Sequence, residues 1–580
     1  MITPIRTFLK KALLLSGITI FTTIFIIARL FQLQIYQTQQ FMNQSQRNFL
    51  RYEKTTSLRG NILDTFGKII ATNRPITTLF WKGSGNQKLT EEQLTSLQEI
   101  ERLTGHDLQN KVPVITQAEK FSNKVELIKD LSFDELSKIA EMFSTHPTLI
   151  LETDFMRVYP YKSLASHVLG YLGSKGFEIG GKMGVERLYE HLLRGKDGLN
   201  QKILNSFGKK LSEKEVEESL AGQDITVTLD LSLQRIAETL FPPDKAGVFI
   251  LMDSTTGALR VTLSRPDFDP NLFLKPIEQE TWQKLQNKKP FLNRIFHSSY
   301  PPGSIFKLVT LGAALEHNII DEDTIIHCRG LTKLRNSSFR CHKQDGHGKL
   351  TINESLAKSC NTLFYAIGRH LDINAIAEYA GHFGFGQNTG SVFDDYSGLV
   401  PNREWKQRTK GERWWLGETF STSIGQSFLL TTPIQITRMI ASIETGYLIN
   451  PRILEATPLI YTPLTINHKT RMFLQNAMHG VITEGTAQIL RGLKNFRIYA
   501  KTSTAQTSNL EKRDTGEKFL EHGWFVANFS YKDESPLTIV VLIENTGKAR
   551  HSLIVARNFL RAYRDLIELR NTKEQKKERT

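Results

Sequence analysis

The chain has 580 residues, with 74 Lys and Arg against 59 Asp and Glu, so its formal net charge is +15. A hydrophobic fraction of 40% with 23% charged residues is typical of folded globular proteins and excludes disordered, collagen-like and coiled-coil chains. Three cysteines are too few for a small scaffold held together by disulfides. The positive charge favours an anionic partner, such as nucleic acid, a membrane surface or an acidic polymer.

The N-terminal segment predicts a membrane anchor. Residues 12–34 are predominantly apolar and include a charge-free run at 12–28, about long enough to cross a hydrocarbon core of roughly 30 Å. Basic residues cluster before this run, which by the positive-inside rule places residues 1–11 in the cytoplasm and the later chain outside. A cleaved signal peptide remains the alternative, although no small-residue cleavage site follows the run. No later stretch approaches 18 apolar residues, which predicts a single span.

Beyond the anchor, the sequence predicts two regions and an α+β fold. Residues 45–220 are rich in charged and amide side chains, with short strands and with helical periodicity over 90–142. From about residue 221, strand patterns come first, with a helical pattern over 231–240 and a predicted hairpin over 247–264. Helical patterns follow at 304–316 and 351–384, and strands return after residue 496. This order predicts one antiparallel sheet flanked by helices over residues 221–569, followed by a charged tail at 570–580.

Ser304 and Lys307 form a Ser-x-x-Lys pattern at the start of a helix predicted over 304–316. The spacing places both side chains on one helix face, where a lysine with a pKa lowered by burial can serve as base for the hydroxyl. The helix N-terminus adds N–H donors for a developing oxyanion. The pattern alone is unspecific, because it recurs at 206–209 and 355–358.

Two further motifs follow in order. Ser359 and Asn361 form a Ser-x-Asn pattern before an apolar helix, and a strand ends with the four residues Lys501, Thr502, Ser503 and Thr504. This order resembles the penicillin-binding transpeptidases, whose motifs are Ser-x-x-Lys, Ser-x-Asn and Lys-Thr-Gly. Stretches at 59–71, 157–160, 167–173 and 184–198 are similar to the pedestal domain of the class B enzymes. Those at 346–348, 359–365 and 401–406 are similar to the elongation type of this class, penicillin-binding protein 2.

The resemblance implies an anchored peptidoglycan D,D-transpeptidase that cross-links stem peptides during cell elongation and is a target of β-lactams. It makes residues 45–220 the pedestal, or dimerisation, domain and residues 221–569 the transpeptidase domain. By the same resemblance Ser304 would attack the D-Ala–D-Ala bond and form an acyl-enzyme, Lys307 would be its base, and Ser359 would relay the proton.

The remaining motif residues have roles by the same resemblance. Asn361 would hold the substrate amide, while Lys501 and Thr502 would orient its terminal carboxylate. The backbone N–H groups of Ser304 and Thr504 would form the oxyanion hole, worth roughly 3 to 4 kcal/mol per donor.

Two positions depart from the family pattern. Ser503 stands where the third motif has glycine, and Gln426-Ser427 replaces Gln-Gly. A side chain at 503 lies beside the nucleophile, so we expect altered β-lactam affinity rather than lost activity. A catalytically weakened scaffold and a β-lactam sensor stay open as alternatives. A serine β-lactamase is disfavoured, because it needs neither an anchor nor a pedestal.

The cysteines suggest a metal site. Cys328, Cys341 and Cys360 with His347 offer three thiolates and one imidazole, a complete tetrahedral zinc set. Their spacing is not that of a zinc finger, but some elongation-type enzymes are similar in carrying metal ligands at matching places. A structural zinc would anchor the catalytic loop through Cys360. The alternatives are a Cys328–Cys341 disulfide or three ordinary thiols, and no cofactor is expected for catalysis.

The resemblance also implies partners and a location. The chain has no glycosyltransferase domain, so polymerisation would come from a SEDS-family glycosyltransferase, alongside other membrane proteins of the elongation complex. Stem peptides and lipid-linked precursors would be its substrates. The protein would lie in the bacterial inner (cytoplasmic) membrane with its bulk in the periplasm, which excludes nucleic acid as a partner and leaves anionic lipids or the wall polymer to face the basic surface.

Overall fold

The computed structural model describes residues 3–42, 50–144, 146–175, 178–204, 210–506 and 516–578. The chain divides into two compact units. One comprises Met1–Arg59, Pro75–Phe155 and Arg194–Gly222, and the other Gly60–Arg74, Met156–Leu193 and Gln223–Thr580.

The first unit begins with the predicted apolar helix. An α-helix at Thr3–Phe31 continues into a π-helical turn at Gln32–Tyr36. Phe8–Tyr36 is long and apolar enough to span a membrane. Its large apolar side chains, such as Phe21 and Ile24, are exposed, as expected of a segment whose solvent is lipid.

The rest of the first unit is a small α+β arrangement. Capping boxes at Thr90 and Ser132 start two of its helices, because each hydroxyl accepts a hydrogen bond from a free N–H of the first turn. Its helices are Glu91–Thr104, Val112–Lys120 and Phe133–Phe143. Lys124–Ile128 is a strand within the region predicted as helical, and it pairs antiparallel with the end of Ile69–Lys82. A three-stranded antiparallel sheet contains Leu50–Thr55, Gly198–Leu204 and Lys210–Glu217. The strand Leu149–Val158 completes these elements.

The second unit is built on the predicted antiparallel sheet. Its five strands lie in the order Leu259–Arg265, Gly247–Asp253, Leu537–Ile543, His522–Tyr531 and Phe496–Ala505. Side chains alternate between the two faces, so both faces need cover. Phe249 and Val541 pack with the helices Leu231–Leu240 and Arg550–Glu578, whereas Ile250 and Val540 pack with the central helices. The predicted hairpin near residues 247–264 and the helix over 231–240 are confirmed.

The remaining elements surround this sheet. The other helices of the unit are Ser166–Leu169, Gly184–Leu188, Glu190–Leu193, Gln279–Lys288, Arg294–His297, Lys307–Glu316, Ile352–Ala357, Asn361–His370, Ile373–His382, Arg403–Lys410, Leu416–Ser423, Pro433–Thr445 and His468–Thr483. Short strands pair as Ile62–Leu63 with Ile225–Thr226, Leu172–Lys175 with Glu178–Gly181, Ile325–Cys328 with Gly348–Thr351, Leu331–Leu334 with Ser337–Arg340, and Tyr447–Ile449 with Tyr461–Pro463.

Three predicted boundaries differ from the structure. The helix predicted over 304–316 begins at Lys307. The helical stretch predicted over 351–384 is three helices, because the chain turns at Ser359 and at Asp372. The predicted charged tail is, through residue 578, the end of the helix Arg550–Glu578, and its last two residues lie outside the described part of the chain.

Candidate active site

Ser304 lies in a short turn rather than inside the helix. The 3-10 turn Gly303–Ile305 directly precedes the helix that begins at Lys307. Gly303 has φ +53°, and a Cβ atom there would lie 2.4 Å from the Ser503 Oγ atom, so this position requires glycine. The turn therefore sets Ser304, which is half-buried, at the open end of a buried helix.

Lys307 is fully buried and faces the second motif. Its Nζ atom donates hydrogen bonds to the Ser359 carbonyl oxygen at 2.8 Å and to Asn361 Oδ1 at 2.7 Å. Burial lowers the pKa of Lys307 to about 8, and the nearby Cys360 and Cys341 side chains oppose this shift. A lysine with this pKa is partly neutral near physiological pH and is able to accept a proton.

Ser359 lies between two buried lysines. Its Oγ atom accepts a hydrogen bond from Lys501 Nζ at 3.0 Å and lies 3.4 Å from Lys307 Nζ. Burial, and then the charge of Lys307, hold the pKa of Lys501 well below its usual value. Ser359 has φ +54°, a strained backbone conformation for a residue with a side chain. The arrangement holds one hydroxyl within reach of two groups that exchange protons.

Both polar atoms of the Asn361 side-chain amide are hydrogen-bonded. Its Oδ1 atom accepts from Lys307, and its Nδ2 atom donates to the Arg340 carbonyl oxygen at 3.2 Å. Because both contacts are to groups on other elements, the amide is held at the start of the helix Asn361–His370.

The third motif lies on an edge strand. Among the described residues, Phe496–Ala505 pairs with one neighbour only, His522–Tyr531, so its other edge is free to bind an extended peptide. Lys501 and Thr502 are buried, and Thr504 is exposed. The Thr502 hydroxyl lies 2.5 Å from that of Thr486.

The Ser503 side chain points towards the turn that carries Ser304. Its Oγ atom donates to the Pro302 carbonyl oxygen at 2.9 Å, and its side chain is buried. The extra side chain therefore occupies the space between the strand and the turn.

Ser427 is the second departure from the family pattern. Ser427 has φ +69°, a conformation that favours the glycine it replaces.

The Ser-x-x-Lys pattern also occurs at 355–358 and 206–209. At the first of these, Ser355 is buried, while Lys358 turns outward and pairs with Glu354 at 3.7 Å, so this second pattern forms no reactive pair. The third, at 206–209, lies outside the described residues.

Two contacting residues were missed by the sequence reasoning. The Thr486 hydroxyl is hydrogen-bonded to that of Thr502, 16 positions along the chain. The Arg340 carbonyl oxygen accepts a hydrogen bond from the side chain of Asn361, 21 positions along the chain. Neither has a local signal, because one acts through a hydroxyl in an irregular segment and the other through its backbone.

The predicted metal ligands lie close together beside the loop that carries Ser359. One ligand atom from each of Cys328, Cys341, His347 and Cys360 lies within 4.8 Å of every other. The distances from His347 Nδ1 to the sulfurs of Cys328 and Cys341 are 3.5 and 3.6 Å. The Cys341 and Cys360 sulfurs are 4.0 Å apart. Tetrahedral zinc with ordinary bond lengths requires about 3.6 Å between nitrogen and sulfur and about 3.8 Å between sulfurs. The donor set therefore fits zinc.

The structure also bears on the predicted alternatives, a Cys328–Cys341 disulfide and three ordinary thiols. All three cysteines are free thiols. Hydrogen bonding from Cys360 is the main cause that lowers the pKa of Cys341, which favours the thiolate form that binds metals. His327 and His342, the neighbouring histidines, are exposed.

Comparison with known proteins identifies the family. Residues 54–227 match the Penicillin-binding Protein dimerisation domain, and residues 247–563 match the Penicillin binding protein transpeptidase domain. The Peptidoglycan D,D-transpeptidase MrdA of Acinetobacter baumannii is 30% identical over 569 residues, which cover 91% of this chain and 84% of that protein.

Solved structures are similar over most of the chain. PBP2 in a complex with MreC from Helicobacter pylori has a TM-score of 0.78 and 26% identity, covering 89% of this chain and 99% of that one. A chain of a peptidoglycan synthase complex that coordinates polymerization and crosslinking has a TM-score of 0.74 and 28% identity, covering 95% of this chain and 98% of that one.

The chain therefore belongs to the class B penicillin-binding proteins of the elongation type, which are serine-class peptidoglycan D,D-transpeptidases. The predicted family, fold class and enzyme class are confirmed.

Proposed function

We propose that the three motifs form one acyl-transfer site in which Ser304 is the nucleophile. Neutral Lys307 takes the proton of the Ser304 hydroxyl as Oγ attacks the carbonyl of the D-Ala–D-Ala bond. The C–N bond breaks, the leaving D-Ala amine receives its proton through Ser359, and an acyl-enzyme remains. The amine of a second stem peptide then attacks this ester, releases Ser304 and forms the cross-link.

One observation carries this proposal: the Ser359 hydroxyl lies at 3.0 and 3.4 Å from the Nζ atoms of two fully buried lysines. Burying two ammonium groups so close together is costly, so protonation of one lowers the pKa of the other. A hydroxyl between them is suited to relay a proton between nucleophile and leaving group.

The other motif residues bind and polarise the substrate. Asn361 holds the stem-peptide amide, and Lys501 with Thr502 orients the terminal carboxylate. The backbone N–H groups of Ser304 and Thr504 stabilise the oxyanion. The free edge of the third-motif strand supports this, because an extended peptide is able to pair there.

We also propose a structural zinc held by Cys328, Cys341, His347 and Cys360. A bound zinc ion supplies a cross-link between loops and takes no part in the chemistry. Cys360 directly follows Ser359 and occupies the N-cap position of the helix that begins at Asn361. The ligand set therefore holds the second motif from behind.

Location and assembly follow from the anchor and the relatives. We propose that residues 1–11 are cytoplasmic, that 12–34 span the inner membrane, and that the pedestal at 45–220 and transpeptidase domain at 221–569 are periplasmic. One solved relative is bound to MreC and another belongs to a peptidoglycan synthase complex. These support a SEDS-family glycosyltransferase and other elongation proteins as partners of this chain.

Intact-mass analysis of the full chain in detergent with a fluorescent penicillin tests the nucleophile. We expect one stable adduct on the wild type and none on Ser304→Ala. Ser137→Ala, an exposed serine on the helix Phe133–Phe143, is the matched control and keeps the adduct. An unlabelled wild type, or rapid release of hydrolysed penicillin, would contradict the proposal.

A further inference from the structure

A strongly basic hairpin lies beside the second motif. Its strands are Leu331–Leu334 and Ser337–Arg340, and we call it the cationic hairpin. Residues 324–344 contain no Asp or Glu, and their basic residues are Arg329, Lys333, Arg335, Arg340 and Lys343. No role described above uses these charges.

The hairpin has one packed face and one charged face. In its antiparallel register, Thr332 opposes Phe339 and Leu334 opposes Ser337. Phe339 packs against the Phe420 ring at 5.1 Å between centroids, so this face lies on the domain. Since side chains alternate, Lys333 and Arg340 share the opposite face, where both are exposed.

Both cationic residues are fastened by their backbones to the helix Asn361–His370. The Arg340 carbonyl accepts hydrogen bonds from Asn361 Nδ2 and from the Tyr365 hydroxyl, each at 3.2 Å. The Lys333 carbonyl accepts from Arg369 Nη2 at 3.3 Å. The hairpin is thus continuous with the amide that we assign to substrate binding.

In the part of the chain that the structure describes, the charges on this face have no acidic partner. Lys333, Arg335 and Arg340 take part in no ion pair among the residues that the structure describes. Exposed arginine and lysine side chains without a counter-ion, on a backbone that is held in place, favour binding of a carboxylate, which arginine contacts through two parallel hydrogen bonds.

We propose that the cationic hairpin is a binding subsite for the carboxylates of an acidic stem peptide, with Lys333 and Arg340 as its specificity-determining residues. This inference rests on the proposed function, because the peptide is the substrate whose amide Asn361 holds. Direct attachment of the hairpin to Asn361 favours the substrate over a lipid surface as the anion. Free carboxylates upstream of D-Ala–D-Ala then lie along the charged face while the scissile bond meets Ser304.

The test compares two peptide thioesters that end in D-Ala, one with free carboxylates and one with those groups converted to carboxamides. Acylation of Ser304 in the full chain is followed by intact mass, and complete penicillin labelling counts the active sites. We expect the wild type to react faster with the carboxylate peptide than with the carboxamide peptide. In K333Q/R340Q, the ratio of these two acylation rates should fall by about tenfold. The preference should also shrink as salt is raised.

A control variant removes two charges elsewhere. K284Q/K469Q alters exposed lysines of the helices Gln279–Lys288 and His468–Thr483, and it should keep the preference. Equal reaction of the wild type with both peptides, or equal losses in both variants, would overturn the subsite. So would loss of binding to anionic phosphatidylglycerol vesicles by K333Q/R340Q with the peptide preference intact, because the anion would then be lipid. A wild type that neither peptide nor penicillin acylates would instead contradict the proposed function.

Discussion

The Ser503 hydroxyl donates a hydrogen bond to the Pro302 carbonyl oxygen at 2.9 Å and joins the third-motif strand to the turn that carries Ser304. The two residues are 201 positions apart. Glycine, the family residue at this position, is unable to make this link. The departure at 503 is therefore a contact that positions the nucleophile turn.

Ser503→Gly should lower the free energy of unfolding by about 1–2 kcal/mol, because it removes a buried hydrogen bond and adds strand flexibility. We expect penicillin acylation to change by a few-fold without being lost. Thermal unfolding and labelling kinetics measure both effects, and Ser503→Ala separates the hydrogen bond from the flexibility. A Ser503→Ala variant with wild-type stability and kinetics would show that the link has no role.

Gly303→Ala should abolish or strongly slow labelling. The new Cβ atom would lie 2.4 Å from Ser503 Oγ, and φ +53° is strained for alanine by about 1 kcal/mol. In the double variant Gly303→Ala with Ser503→Gly, the clash is removed but the strain remains, so partial recovery is expected. Labelling rates of the four proteins form a double-mutant cycle, and purely additive losses would argue against the contact.

The pH dependence of acylation should report Lys307. Because its pKa is lowered to about 8 by burial, and the neutral amine is the base, the acylation rate should rise with pH to a midpoint near 8 and then level off. Lys307→Arg keeps the charge, so we expect a loss of roughly 10²–10⁴-fold. Lys358→Arg, in the non-reactive Ser-x-x-Lys pattern, is the control. A profile that falls through pH 8 would rule out Lys307 as base.

Metal analysis should find about one zinc per chain. Cys360→Ser and His347→Gln should lower both the zinc content and the unfolding temperature, since metal binding is coupled to folding of the loops. His327→Gln, an exposed histidine next to the ligand Cys328, should change neither. Zinc content that is equal in His347→Gln and the wild type would show that the cluster is not the site.

A buried ion pair joins two segments that the sequence reasoning treated separately. The Nε atom of Arg157 lies 2.8 Å from Glu186 Oε1, with side chains 1% and 0% exposed. Glu186→Ala should cost about 3–5 kcal/mol, because an uncompensated charge stays buried, whereas Arg157→Met with Glu186→Leu should cost less than either single change. Glu280→Ala, which breaks an exposed pair with Lys284, should cost under about 0.5 kcal/mol. Denaturant unfolding measures the three variants, and a smaller loss for Glu186→Ala than for the double variant would contradict this expectation.

The local pattern of the residues was sufficient to predict several elements and the family. Alternation over Gly247–Asp253 and helical spacing over Leu231–Leu240 depend on side chains a few positions apart, and both elements lie where they were predicted. The three motifs identified the family because the combination of their residue types and their order is specific to it, although each motif alone is common. The start of the nucleophile helix was wrong, since Pro302 and Gly303 impose a 3-10 turn that helical spacing does not register.

Packing alone brought distant residues to one place. Lys501 reaches Ser359 across 142 positions, and Arg157 reaches Glu186 from another motif. Such contacts depend on strand register and on which helix covers which face of the sheet, and these are properties of the whole core. The charges of Lys333 and Arg340 were visible in the sequence, but their shared face and their attachment to Asn361 follow only from the paired hairpin and its hydrogen bonds.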